Sequence, residues 1–596
     1  MPSPAPAPAS APAAVALVLL LAPLPAAALE LRTVEVRGLE DEAMLDNVDD
    51  ALSLQRLNPA RRRQLTESRL AFLLRQAPDE ARRALEPFGY YDPVVTPEVV
   101  RDGDAVDVVV TVDPGEPVRV AAHDLHLLGA AGGDAALQRR LQRFRPGIGQ
   151  PFHHGQYEDS KAAIDRALAE RGYFDAEQTV HEVRVTRADH RADIALTWTS
   201  GERYRLGEAH FSGHPFVPEL LEKLVPWTPG ELFDQGELLR LHTSLAELDY
   251  FGAIDIHAEP GNAGADRQVP IRVELAPARR DIWSAGVRYG TDTGLGLTGG
   301  LERRWVNARG HKLRAQASLA ERRNDLSAQY RIPAFTWLDG WYTFGLSLRQ
   351  EQIDGLDTEL LEVVGGRSGK LGDWTLSAAL NLRRERWADF STGFETRYSS
   401  LVFPSLLAQW SESDDILYPR NARALTVELR AGHTGIGSDI DFVQLRAEGR
   451  WIHAFGRRDR LLLRAEAGTT LSDDFAAFPP SLRFYAGGDR SVRGYGWREI
   501  GESVTDPADQ RRYVLGGKHL FVASVEFERM FNRSWGGAVF VDAGSAWDEA
   551  FDVQPAAGIG LRWRSPVGPV RIDIAHGFGD QAQGAIQLHL NIGPDL

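Results

Sequence analysis

Over residues 281–596 apolar and polar side chains alternate with a period of two, and this pattern constrains the fold more than any other property of the chain. Ile586, Leu588, Leu590 and Ile592 are interleaved with Gln587, His589 and Asn591. Val570, Ile572 and Ile574 are interleaved with Arg571 and Asp573, and Ile559, Leu561 and Trp563 with Gly560 and Arg562. Further upstream, Val443, Leu445 and Ala447 alternate with Gln444, Arg446 and Glu448. Successive side chains on a strand point to opposite faces, so each segment has one apolar and one polar face. A soluble sandwich or a lipocalin-like barrel would alternate too, but its apolar faces must meet in one closed core, and more than a dozen such strands cannot share one. Here charges of both signs sit at mid-strand opposite purely aliphatic or aromatic faces, the arrangement of a water-filled lumen inside lipid.

Roughly sixteen strands fit between Ile282 and Ile592, at about 20 residues for each strand with its connection. The expectation is a 16-stranded antiparallel transmembrane β-barrel over residues 278–596. Trp283, Tyr289, Trp341, Tyr342, Trp410, Tyr418, Trp451 and Trp547 fall near strand ends, where interfacial girdles lie. No segment beyond the N-terminus approaches the ~20 apolar residues of a spanning helix. Residues 11–28 are uncharged and apolar and close on Ala26-Ala27-Ala28 before the polar Glu30 and Arg32, so residues 1–28 are expected to be a cleaved signal peptide. No positive charge precedes Ala11, a departure from the usual pattern.

Between this leader and the barrel the texture changes to mixed helix and strand with an internal repeat. Gly89-Tyr90-Tyr91-Asp92 returns 83 residues later as Gly172-Tyr173-Phe174-Asp175, and a looser copy stands at Asp249-Tyr250-Phe251-Gly252. Pro146-Gly147 returns as Pro229-Gly230 at the same spacing. An amphipathic helix precedes each aromatic pair, marked by Ile164, Ala167 and Leu168 in one copy and by Leu238, Leu241, Leu245 and Leu248 in another. A strand follows each pair, and another opens each unit and runs into Gly38, Gly129 or Gly213. The expected boundaries are 29–113, 114–200 and 201–277. The chemistry these 596 residues exclude is equally informative. With no cysteine there is no disulfide or thiolate metal site, and a formal net charge of -16 argues against nucleic-acid binding. No Gly-x-Ser-x-Gly elbow or zinc-type histidine spacing appears; His153-His154 and His210/His214 read as surface or loop histidines, and no catalytic group, metal or cofactor is expected. Gly294-x-Gly296-x-x-Gly299 matches a dinucleotide fingerprint in form, but strand-like alternation follows it, so these read as barrel glycines. A passive porin would have no use for the repeats.

Strand, two helices and two strands, repeated three times, resembles the polypeptide-transport-associated (POTRA) domain, so the α+β repeats are read as POTRA-like. A second resemblance lies in the long stretch between the strands near Leu461 and Leu520, where Val492-Arg493-Gly494-Tyr495 looks like the VRGY/F motif of the BamA/TamA superfamily. Phe540-Val541-Asp542-Ala543-Gly544 resembles the superfamily's F-x-D-x-G strand, and Asp415 with Tyr418-Pro419-Arg420 its D-x-x-x-P-R element. The resemblance implies a sixth extracellular loop folded back into the lumen. Alternation turns Asp542 inward, where a guanidinium could bind it bidentately, so Arg493 is expected to pair with Asp542 and pin that loop.

Within the superfamily, three POTRA domains and the ending Gly593-Pro594-Asp595-Leu596 resemble the TamA-like members. That resemblance implies an assembly factor for autotransporters and other β-barrels, a TamB-like periplasm-spanning partner anchored in the inner membrane, and a link to phospholipid movement. Two-partner secretion transporters and BamA-like general insertases are the alternatives. Clients would add at a seam between the first strand (Trp283, Gly286, Gly290) and the last (Ile586, Leu588, Leu590, Ile592), weakened by glycines on one side and ended by Gly593-Pro594 on the other.

Overall fold

A computed structural model describes residues 29–596 apart from 291–293, 336–339, 354–355, 390–394, 416, 508–509, 566–567, 583, 585 and 593–596. The leader, 1–28, and the ending Gly593-Pro594-Asp595-Leu596 therefore lie outside the described residues. Among the described residues no helix is long and apolar enough to cross a membrane. The chain divides into two compact units: one holds the first two repeats and part of the third, the other the rest of the third and the barrel.

The first repeat runs β1 (Glu30–Arg37), α1 (Glu42–Ala51), α2 (Pro59–Arg62), α3 (Glu67–Leu85), β2 (Val94–Asp102) and β3 (Ala105–Asp113). The second runs β4 (Arg119–Leu128), α4 (Ala135–Leu141), α5 (His154–Glu170), β5 (Glu177–Thr186) and β6 (Arg191–Thr199). The third runs β7 (Arg205–Ser212), α6 (Pro218–Glu222), α7 (Gln235–Glu247), β8 (Phe251–Ala258) and β9 (Gln268–Pro277). Each sheet places its last strand in the middle, in the orders β1-β3-β2, β4-β6-β5 and β7-β9-β8. The middle strand is accordingly the most apolar on its inner face: Val106, Val108 and Val110 of β3 are fully buried against Leu70, Leu73 and Ala77 of α3. Helix starts follow local chemistry, with Asp41, Thr66 and Asp134 each accepting first-turn amides of α1, α3 and α4.

The recurring glycines have a backbone reason. Gly38 and Gly213, each just past the opening strand of its repeat, adopt positive φ, and an added Cβ would lie 2.2 and 2.3 Å from the carbonyl oxygens of Val112 and Leu275. The aromatic signature begins in the same left-handed region: Gly89 and Gly172 have φ of 91° and 81°, and Asp249 takes the position in the third copy with φ 55°. Aspartate is among the few side chains that tolerate it, which is why the third copy reads as loose. Tyr250, next in sequence, is fully buried and donates its hydroxyl to the Gly310 carbonyl, while Asp249 receives Arg304 at 2.9 Å.

Sixteen antiparallel strands form the second unit's sheet. They are β10 (Asp281–Gly290), β11 (Gly294–Arg303), β12 (Lys312–Ala320), β13 (Arg323–Ala334), β14 (Gly340–Ile353), β15 (Leu356–Leu371), β16 (Trp374–Asp389), β17 (Arg397–Ser413), β18 (Ala422–Gly432), β19 (Phe442–Phe455), β20 (Asp459–Ser472), and, after a long loop holding the hairpin β21 (Ser503–Thr505) and β22 (Arg512–Val514), β23 (His519–Met530), β24 (Trp535–Trp547), β25 (Gln554–Ser565), β26 (Gly568–Gly577) and β27 (Gln587–Ile592). Neighbours in sequence are neighbours in the sheet, apart from the loop hairpin. Gly294, Gly296 and Gly299 lie in β11. The period-two pattern maps onto two environments: Val525, Val539, Val541, Ile559 and Ile574 are exposed on the outer face, whereas Glu526, Glu528, Asp542, Arg562 and Asp573 on the alternate positions are buried.

Candidate functional site: a pinned loop and the two ends of the sheet

The loop between β20 and β23 enters the barrel and packs on the inner faces of β23 to β26. Val492 and Tyr495 are fully buried and Arg493 nearly so. The glycine of the sequence motif is required: Gly494 has φ 96°, and a Cβ there would lie 2.7 Å from the His576 carbonyl carbon and 2.8 Å from the Gly577 nitrogen. The walls are cut to match. A Cβ on Gly544 would meet Val492 at 2.6 Å, and one on Gly577 would meet the Tyr495 ring at 2.7 Å. The Tyr495 hydroxyl accepts the Gly579 amide at 2.9 Å and donates to the Pro555 carbonyl at 3.1 Å.

Arg493 sits at the centre. Its Nε and Nη2 donate to the two oxygens of Asp542 at 2.8 and 3.0 Å, a fork-to-fork pair, and its backbone amide reaches Asp542 Oδ2 at 3.0 Å. Nη1 donates to Glu526 at 2.6 Å and Asp573 at 3.1 Å, and the guanidinium lies 3.4 Å from the centre of the Phe540 ring. Asp542 also accepts the Ser524 hydroxyl at 2.6 Å. Buried charges are tolerated only when paired and hydrogen-bonded, and here the geometry supplies both.

The charges continue beyond the loop. Arg562 on β25 binds Glu526 at 2.6 Å and Asp573 at 2.5 Å, and approaches Glu528 at 3.5 Å. Glu528 accepts Arg460 at 2.9 Å and the Tyr418 hydroxyl. The Tyr418 ring lies between two guanidiniums, Arg460 and Arg564, 3.5 and 3.4 Å from its centre. This corrects the reading of Tyr418 as a girdle aromatic: its position near a strand end suggested lipid, but the turn carries it into the charged interior. Asp415 makes that turn by accepting the amides of Leu417 and Tyr418 at 2.8 Å each. Pro419 offers its carbonyl to Arg460 at 2.7 Å, and Arg420 donates to the carbonyls of Gly456 and Arg457. β17 is the eighth strand, so this turn lies at the rim where β10 begins; the loop after the eleventh strand, β20, leaves from the opposite rim. One ionic ladder thus runs from Arg493 to Tyr418.

The seam residues lie at the two ends of the sheet. β10 pairs with β11 through ten residues, Gly286 opposite Thr298 and Gly290 opposite Gly294. β27 pairs with β26 through six, Leu588 opposite Ile574, Leu590 opposite Ile572 and Ile592 opposite Val570. Among the described residues no ladder joins β10 to β27. Trp283 is 75% exposed, Ile586, just before β27, 70%, Leu588 67% and Leu590 60%.

Several residues at this site escaped the sequence reading: Ser524, Glu526, Arg562, Gly577, Gly579 and His589, which accepts the Gly494 amide at 3.2 Å. The charged ones were visible as inward positions of alternating strands, but alternation does not say which strand a loop will reach. Three of the histidines singled out before the barrel have local structural roles: His153 accepts the Gln156 amide at the start of α5, His154 bonds the Tyr91 hydroxyl at 2.7 Å, and His214 accepts the Phe216 amide, while His210 is exposed.

A 16-stranded barrel preceded by three small α+β repeats, with an inward loop fixed by a buried arginine, defines a class of outer-membrane proteins. The sequence profile of the Omp85 superfamily domain matches residues 306–595, and that of the POTRA domain called TamA domain 1 matches residues 33–114. The outer membrane protein assembly factor BamA of Nitratidesulfovibrio vulgaris is 24% identical over 388 residues, 61% of this chain and 47% of that protein. BamA of Neisseria meningitidis is 20% identical over 489 residues, 71% of this chain and 60% of that protein. The chain therefore spans about half the length of the curated relatives it matches. In fold, it is similar to a crystal structure of BamA from Haemophilus ducreyi lacking POTRA domains 1-3, with a TM-score of 0.67 at 17% identity, over 80% of this chain and 99% of that one. The chain belongs to the Omp85, or BamA/TamA, superfamily, with a first repeat of TamA type. Its barrel lies in the bacterial outer membrane and its POTRA domains in the periplasm.

Proposed function

We propose that the protein is a non-enzymatic assembly factor that helps autotransporters and other β-barrel clients into or across the outer membrane through the seam between β10 and β27. A TamB-like protein anchored in the inner membrane is its partner in this reading, and movement of phospholipid between the membranes is a related task. The observation that carries the proposal is the open join: the sheet begins at β10 and ends at the six-residue β27, without a ladder between them among the described residues. Unpaired backbone at a sheet edge templates another strand, so a client can be received by main-chain hydrogen bonds with no catalytic group. The VRGY-type loop supports the same reading, because its lock holds β23 to β26 in place while the seam works.

The test uses a chain with no cysteine of its own. One cysteine in β10 and one in β27, oxidised across the seam, should block client insertion, and reduction should restore it. Undiminished insertion by the locked form would rule the seam out. The partner is tested separately, by pull-down of the full-length protein from native membranes. A TamB-like protein in the eluate supports the TamA-like reading; lipoproteins of a general insertase complex would count against it.

A further inference from the structure

The second repeat carries a basic groove that neither the seam nor the loop uses. Arg140, Arg143 and Arg145, at and beyond the end of α4, face Arg166 of α5 across a concavity of about 410 Å³ that Phe144 also lines. All four arginines are exposed, and none makes an ion pair with any described residue; Arg145 bonds only the Gln150 amide oxygen and nearby neutral groups. Asp159 is the one carboxylate in the lining. Elsewhere in the same repeat arginines do find carboxylates: Arg171 with Asp134 at 2.5 Å, Arg184 with Glu182 at 2.9 Å and Arg191 with Asp193 at 2.8 Å. In a chain with 83 acidic and 67 basic residues, four neighbouring arginines left unneutralised stand against the composition. The corresponding helices of the third repeat carry Glu219, Glu222, Glu237 and Glu247, so a basic face is not a requirement of the module.

The groove has an apolar floor, since Phe144 lines it and is buried beneath the arginines. Guanidinium groups receive carboxylates as two-pronged pairs, and a clustered positive potential steers and holds a negatively charged chain. A concavity with arginines on both sides suits inserted side chains rather than the flat face of a bilayer. We propose that this face of the second repeat, Arg140, Arg143, Arg145 and Arg166 over Phe144, docks an acidic segment of a periplasmic protein partner. The surface is distinct from the seam, so it gives the periplasmic half of the protein a specificity of its own.

The test is binding of a fluorescein-labelled glutamate-rich peptide to the full-length protein in micelles, read by anisotropy at low and raised salt. Arg140→Gln, Arg143→Gln and Arg166→Gln together should weaken binding about tenfold and flatten its salt dependence. The peptide's glutamine counterpart should bind at least tenfold more weakly than the glutamate form. Arg69→Gln, Arg75→Gln and Arg83→Gln, which remove the same charge from the first repeat, should leave binding unchanged. Equal loss in both triple variants, equal binding of the glutamine peptide, or unchanged affinity in the groove variant would overturn the proposal. If the groove variant loses binding to phosphatidylethanolamine–phosphatidylglycerol vesicles yet keeps the peptide, the groove is a membrane contact and the proposal is wrong. Arg166→Glu alone gives a second reading should the triple variant melt at a lower temperature, with weaker peptide binding expected and unchanged binding refuting it.

Discussion

Replacing Arg493 with alanine should release the loop without dismantling the barrel. The size of the effect follows from what the side chain leaves behind. Glu526 and Asp573 retain Arg562, at 2.6 and 2.5 Å, so neither is stranded. Asp542, with no exposed surface, loses both guanidinium bonds and keeps the Ser524 hydroxyl and the amide of residue 493. Removing one partner of a buried pair costs about 3–5 kcal/mol, because the other charge stays buried. At about 1.4 kcal/mol for each factor of ten, the equilibrium between seated and released loop should shift by about two to three and a half powers of ten. Hydrogen exchange or limited proteolysis of residues 484–499 in outer-membrane vesicles measures the shift, with client insertion followed in parallel. Because the cost resides in an orphaned carboxylate, adding Asp542→Asn to Arg493→Ala should recover part of the protection. A loop in Arg493→Ala as protected as in the parent, or a double variant no better than the single, would refute the reasoning.

Other outcomes follow from the same geometry. Gly494→Ala should free the loop as well, since the left-handed backbone alone costs about 1–3 kcal/mol and the methyl group has no room beside His576; proteolysis of the loop reads it. Tyr418→Phe should lose only the bond to Glu528, whereas Tyr418→Leu should also lose both cation–π contacts, about 1–2 kcal/mol each when desolvated, so the leucine variant should melt lower than phenylalanine in a heat-modifiability series. The seam disulfide should block insertion reversibly, as above. In the periplasmic half, burial holds the His154 imidazole below its ordinary value near 6.5. The unfolded chain therefore binds that proton more readily, so the stability His154 contributes is complete above pH 6.5 and is lost as pH falls through the lowered folded value. Thermal melts between pH 8 and 5 should show this loss, and His154→Gln should flatten it.

The barrel was legible because its two solvents impose opposite chemistry on alternate residues; Val539, Val541, Asp542 and Ala543 declare their faces with no knowledge of their neighbours. The repeats were legible for a different reason, a backbone that demands a left-handed residue before each aromatic pair, and the third copy faded where Asp249 took the place of glycine. What pairs across the lumen was less accessible. Asp542 could be singled out as an inward carboxylate, but Glu526 and Asp573 join Arg493 only because the loop crosses β23, β24 and β26, a path that no periodicity encodes. Tyr418 misled for a related reason: two amides bound by Asp415 turn the ring inward, and proximity to a strand end said nothing of that. The arginines of the second repeat drew no reading from the sequence, since Arg140 and Arg166 meet only through the packing of α4 on α5.

The attachment of the loop to the wall is uneven. Toward β23, β24 and β26 it is made of buried ion pairs, but toward β27, among the described residues, it consists of the Gly494 amide on His589 and Asn591 on Asp489, each at 3.2 Å. Two such bonds contribute about 1 kcal/mol each, within reach of thermal motion, while the pairs behind them are not. The last strand is thus the stave least tied to the loop, kept in the cask chiefly by its six-residue ladder with β26. Under the proposed function any opening falls beside this strand, while the hoop, loop and fixed wall together, keeps its shape.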